Sequence, residues 1–79
     1  MLIEYSNQQF GTVRGSDLER DGMFLELSDG SSGDVLMEVF YSDADGSFHL
    51  TGFGGSVPLY VVEQLITEAR HVLPPSTVA

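Results

Sequence analysis

The side chains able to do chemistry in this chain are few in kind. Cysteine and lysine are absent, leaving two histidines, three arginines and twelve acidic residues. Disulfides and thiolate metal sites are excluded, and the available nucleophiles are hydroxyls and carboxylates. Neither His49 nor His71 has the sequence neighbours that complete a triad or a three-ligand metal site. Glu26 and Glu38 fall on strands expected to be adjacent and so resemble an acid pair. A solvated face, or a docking surface for arginine, is the commoner meaning of such a pair. Asp43-Ala44-Asp45-Gly46 opens like a calcium loop. It lacks a third acidic position, and Gly54 stands where the bidentate glutamate belongs, so it reads as a hairpin turn. Gly52, Gly54 and Gly55 follow a strand and open a helix, as a phosphate loop does. The dinucleotide pattern needs a further glycine where Val57 stands, and a parallel βαβ unit, so this stretch reads as a corner. No constellation meets the geometric demands of an enzyme. The expectation is no catalytic residue, no metal ligand and no cofactor.

These residues need elements to hold them. Val35, Met37, Val39 and Tyr41 alternate with Leu36, Glu38, Phe40 and Ser42, which predicts a strand over 34–42. The Asp43–Gly46 turn leads to a second strand over 47–53. Folding about it sets Tyr41 opposite Phe48 and Val39 opposite Leu50, all on one face. At the glycine corner a positive φ is expected. Ser56 reads as the N-cap of a helix from about Val57 to Leu73, with Pro58 in its first turn. Leu59, Val62, Leu65, Ile66, Ala69 and Leu73 form its apolar stripe, and Pro74-Pro75 stops it.

Upstream, Met23 to Ser28 alternate as a strand. Pairing across the Asp29–Gly33 loop sets Leu27 opposite Val35 and Leu25 opposite Met37. Met1 to Tyr5 is a first strand, Ser6 to Gln9 a loop, and Phe10 to Arg14 a weaker strand interrupted by Gly11. Gly15 to Gly22 reads as a polar connection, with room for one helical turn after Ser16 or Asp17. The expected fold is α+β: an antiparallel β-meander of four to five strands with one C-terminal helix packed on one face. The chain reads as a single domain, 1–79, with 76–79 a frayed tail.

Charge narrows the partners. A net charge of −9 disfavours nucleic acid and anionic membrane, which need cations. It favours a basic protein partner, or serves solubility alone. With 79 residues, the core has a margin of about 3–5 kcal/mol. Met1-Leu2-Ile3-Glu4 lacks the basic region of a signal peptide, and no stretch is long enough to span a bilayer. The absence of cysteine fits a cytoplasmic location.

Alternation puts Met23, Leu25, Leu27, Val35, Met37, Val39, Tyr41, Phe48 and Leu50 under the helix. It puts Phe24, Glu26, Leu36, Glu38, Phe40, His49 and Thr51 on the outer face. Three large apolar side chains beside two glutamates are unusual for an open sheet face. Either the N-terminal segment, with Tyr5 or Phe10, folds over them, or they form a docking surface. On the second reading the partner-binding residues are Phe24, Glu26, Leu36, Glu38, Phe40, His49, Asp43 and Asp45. Neither Phe40 nor Glu38 then supports the fold.

The segment from Gly33 to Pro75 has a distinctive order. A strand ends in an aromatic and Ser-Asp, then come an Asp-x-Asp-Gly turn and a strand with Phe-x-Leu. A glycine corner, Val-Pro-Leu and a helix ending Ala-Arg-x-x-Leu-Pro complete it. In this style it resembles the small acidic immunity proteins encoded beside bacterial polymorphic or contact-dependent toxins. The resemblance covers half of the chain and transfers no site residue. It implies a non-enzymatic inhibitor that binds a toxin domain in the cytoplasm and blocks its active site or substrate access. With this charge, it implies a basic toxin such as a nuclease, whose phosphate sites the carboxylates would occupy. Two other classes stay open: a structural or regulatory module that self-associates through a sheet edge, and a small-ligand-binding domain using the glycine corner. The expected state is a monomer or weak homodimer.

Overall fold

In the computed structural model, which describes residues 1–75, five antiparallel strands follow one another as a meander. They are β1 Leu2–Tyr5, β2 Gln8–Asp17, β3 Gly22–Asp29, β4 Val35–Ser42 and β5 Phe48–Gly52. One helix, α1 Leu59–Val72, packs on one face. This is the expected α+β meander. The tail over 76–79 lies outside the described residues.

The N-terminal third is more regular than its glycines suggest. Ser6 and Asn7 adopt φ of 50° and 64° and make the tight turn whose twist suits a hairpin. Gln8 and Gln9 therefore belong to β2 rather than to a loop. β2 runs on through Gly11 and Gly15 to Asp17, because β1 pairs with it as far as Gly11 and β3 pairs with it from Phe10 to Asp17. The expected polar connection shrinks to residues 18–21. Ile3 and Phe10 are cross-strand partners, and both are buried in the helix-side core. The N-terminal segment thus completes the main core and does not fold over the outer face.

Between β3 and β4 the register differs from the expected one. Asp29 donates its N–H to the Asp34 carbonyl at 2.9 Å, and Gly33 turns the loop at φ 79°. The Asp29 carboxylate accepts from the N–H groups of Ser31 and Ser32. A bulge then interrupts the ladder beside Leu27 and Ser28. Leu27 consequently faces Met37, and Leu25 faces Val39. The bulge also exchanges two side chains between faces. Leu36, expected outside, packs against the core. Val35, expected inside, is the partner of Ser28 and is exposed. Between β4 and β5 the expected register holds, with Tyr41 facing Phe48 and Val39 facing Leu50.

Gly54 and Gly55 take φ of 103° and 75°, the positive values that a corner demands. Pro58, not Ser56, precedes the helix, and no side chain caps it. The Pro58 φ of −55° is already helical, and its carbonyl accepts from Val61 and Val62. The buried stripe is Val61, Leu65, Ala69 and Leu73. Periodicity alone also puts Leu59 and Ile66 there, but they are 71% and 37% exposed. The helix is rolled toward β1, where Ile3 and Phe10 add apolar surface. Tyr60 stacks on Tyr5 with centroids 5.6 Å apart, and Thr12 donates its hydroxyl to Glu68 at 3.1 Å. β5 is left at the margin of the covered face. Leu50, expected in the inner layer, is 49% exposed. Arg70 and His71 in the last turn suit the helix dipole.

Candidate protein-interaction surface

The outer face is organised by two glycines that each accept an aromatic ring. Gly15 is the cross-strand partner of Phe24, and a Cβ there would fall 2.5 Å from Phe24 Cζ. A Cβ at Gly22 would fall onto the Tyr41 carbonyl oxygen and 2.5 Å from Phe40 Cζ. Each ring fills the space a side chain would need. Arg20, from the turn between β2 and β3, then covers Phe40, with its guanidinium 4.2 Å from the ring centroid. Its two terminal nitrogens donate to both oxygens of Glu38, at 2.9 and 2.8 Å. Its Nε donates to Asp17. The other Asp17 oxygen accepts from the N–H groups of Glu19 and Arg20, so the turn is folded around this guanidinium. The Arg20 hydrogen bonds, before all else, hold the Asp17 carboxyl below its ordinary range. Glu38, and after it Asp17, raise the Arg20 guanidinium further above its own.

This arrangement changes what the predicted docking residues offer. Phe40 and Glu38 are each only 8% exposed. The Glu38 carboxylate is already used by Arg20, and the Phe40 ring lies between Gly22 and that same guanidinium. Both residues, expected on an open docking face, are instead packed with Arg20 into a second small core. Glu26 lies directly opposite Glu38, partly exposed, with no side-chain hydrogen bond among the described residues. Only one of the pair is thus free to meet an outside cation. Phe24 is half-buried on the same face, and Leu36 has left it. His49 is exposed, with Nε2 2.8 Å from the Ser47 hydroxyl.

Asp43 and Asp45 are exposed at one end of the sheet. The Asp45 carboxylate accepts from the Ser47 hydroxyl at 2.6 Å and the Ser47 N–H at 3.0 Å. Those bonds hold its carboxyl below the ordinary range. Asp43 donates its N–H to the Asp21 carbonyl at 2.9 Å, which ties this turn to the one carrying Arg20. Glu19 and Asp21 thereby join Asp43 and Asp45 in one acidic end. Sequence reasoning leaves those two out, because the stretch from Gly15 to Gly22 reads as a polar connection and only the Asp43–Asp21 backbone bond ties it to the β4–β5 turn. Among the described residues, the ion pairs join Arg20 to Asp17 and Glu38 alone.

No cluster of three or more histidine, cysteine or acidic residues placed to hold a metal occurs among the described residues. No helix among them is long and apolar enough to cross a membrane. No protein-family model, curated protein or solved structure matches this chain. The surface is best described as an acidic end, beside a face on which Phe40 is covered and Phe24 is half-exposed.

Proposed function

We propose that this protein is a non-enzymatic inhibitor of a basic protein, of the immunity type that its C-terminal half resembles. The acidic end supports this reading best. Glu19, Asp21, Asp43 and Asp45 are all exposed, and no cation within the chain pairs with them among the described residues. Such a patch steers a cationic cleft into register and speeds encounter. On a nuclease toxin these carboxylates would stand where substrate phosphates bind, in the cytoplasm. The half-exposed Phe24 and the free Glu26 extend the contact along the outer face. Phe40 and Glu38 act behind it, as supports.

The test uses the partner captured from the native host and then purified. Association is measured for the wild type and for a variant carrying Glu19→Gln, Asp21→Asn, Asp43→Asn and Asp45→Asn. Asparagine at 45 keeps an acceptor for Ser47. The association rate should fall by about tenfold at low salt, and the gap should close as salt rises. Equal rates at low salt, with folded protein, would reject the acidic end as the docking site.

A further inference from the structure

β5 is one sheet edge and β1, continued by β2 beyond Thr12, is the other, and they are protected unequally. The β5 ladder to β4 is fixed at both ends. Ser42 donates its N–H to the Ser47 carbonyl at 2.9 Å, and Phe53 donates to the Leu36 carbonyl at 3.1 Å. Pairing between these points is unbroken, so bonded and non-bonded positions alternate. Ser47, His49, Thr51 and Phe53 therefore turn their backbone groups to β4. Phe48, Leu50 and Gly52 turn theirs outward, where no further strand follows among the described residues.

Sheet edges are normally blunted by charge, proline or a covering element. β1 carries Glu4, held by the Gln9 side chain, and has Tyr60 stacked on Tyr5. β5 carries no proline and no acidic or basic residue other than His49. The helix rests on β1, β3 and β4; its Arg70 reaches over the Phe48 ring at 5.5 Å, and Leu50 and Ile66 stay exposed along its β5 side.

Charge selects the occupant. Strands β1 to β4 each carry at least one acid, and β5 carries none. From Gly46 to Val62 the chain has no Asp, Glu, Lys or Arg, within a protein of net charge −9. A basic partner gains nothing electrostatic from that strip. A second copy of so acidic a chain is repelled everywhere except where acids are missing. We propose that β5 pairs antiparallel with β5 of a second copy across a two-fold axis, joining the two sheets into one.

An axis at Leu50 pairs every outward group: Leu50 with Leu50 of the second copy, and Phe48 with Gly52. It places Asp43 and Asp45 of each copy beside the uncharged glycine corner of the other. The Leu50 side chains meet on the helix side, between the two Ile66 side chains. Glu19 and Asp21 stay open and only Asp43 and Asp45 border the joint, so mass and exchange measured on the protein alone test this pairing separately from the basic-partner reading.

The purified protein alone tests it. Its mass is followed by light scattering and sedimentation from low-micromolar to near-millimolar concentration, with amide hydrogen exchange at the same concentrations. The mass should move from one chain to two. The amides of Phe48, Leu50 and Gly52 should gain about tenfold protection or more, while His49 and Thr51, already bonded to β4, change little. Leu50→Lys sets two cations against each other at the axis and should raise the dissociation constant about tenfold or more. A monomer at every concentration overturns the proposal. So does protection that rises at Leu2 and Glu4 of β1 instead, or a Leu50→Lys variant that folds and dimerises as the wild type does. Should that variant fail to fold, the exchange pattern of the wild type still decides.

Discussion

On one face of the sheet, fully buried Leu25 and Leu27 meet Val61 and Leu65 of the helix. On the other, Phe24 and Phe40 lie over glycines, and Arg20 covers Phe40. The first core draws residues from strands at opposite ends of the chain, and its attraction is non-directional. The second is local, built within β2 to β4 and the turn between the first two. It depends on direction: a ring over a bare Cα, and a two-pronged guanidinium on one carboxylate. A −9 chain with three arginines commits one of them entirely to this second core. The helix side holds the domain together, and the outer side fixes the shape of the turn that presents Glu19 and Asp21.

The contrast predicts a ranking. Leu65→Ala empties the centre of the helix-side core, where Leu65 is fully buried. It should cost about 3–5 kcal/mol, nearly the whole margin of so small a domain. Chemical denaturation checks this, and a cooperative transition close to the wild-type midpoint would break the picture of a dominant helix side. Phe40→Ala comes next. Its loss should be about 2–3 kcal/mol, below the usual range for a buried phenylalanine, because the Arg20 side chain can follow the gap. An unchanged melting temperature would return Phe40 to the docking surface.

Much of the helix side was legible in the sequence, because alternation along β3, β4 and β5 assigns faces without knowing partners. Parity survives a register shift of two, which is why the faces of Leu25, Leu27 and Val39 are legible while the pairing between β3 and β4 is not. A bulge has no such signature. One extra residue at Leu36 leaves the composition unchanged and exchanges Leu36 with Val35. The roll of the helix was hidden for another reason: Val61 and Leu59 both fit a helical stripe, and only Ile3 and Phe10 decide between them. The acidic candidates were half legible. Asp43 and Asp45 announce themselves in a turn, but Glu19 and Asp21 join them only through the Asp43–Asp21 backbone bond. Arg20 was the real omission. Its signal was present, since Gly15 and Gly22 border an acidic turn with a single cation, ahead of two phenylalanines. Reading it requires knowing that the glycines face those rings.

A finer break concerns the ion pair. Arg20→Gln leaves a nearly buried Glu38 opposite Glu26, so two like charges face each other across adjacent strands. Glu38→Gln leaves an exposed arginine that water and Asp17 still satisfy. The first variant should therefore lower the urea midpoint more than the second, and the double variant should recover part of the difference. Additive effects would mean the two groups do not interact, and that the second core is aromatic packing alone.

The smallest expected effect is on acid stability, and it separates the faces by pH. Arg20 holds the Asp17 carboxyl below its ordinary range, first through a side-chain hydrogen bond. A carboxylate with a depressed folded-state value binds fewer protons folded than unfolded. Its contribution is complete above the unfolded value, about pH 4, and is lost as pH falls through the depressed one. Wild type should therefore lose part of its stability below about pH 4. Asp17→Asn should start less stable at neutral pH and show a flatter acid limb. Melting curves from neutral to strongly acid pH would register both. The glycine-seated rings do not titrate, so protection of the β3 and β4 amides from hydrogen exchange should persist after the Arg20 turn has opened. The helix-side amides should outlast both. An Asp17→Asn variant with the same acid limb as wild type would mean that the turn contributes nothing to acid stability. The outer face would then rest on Phe24, Phe40 and the Arg20–Glu38 pair without it.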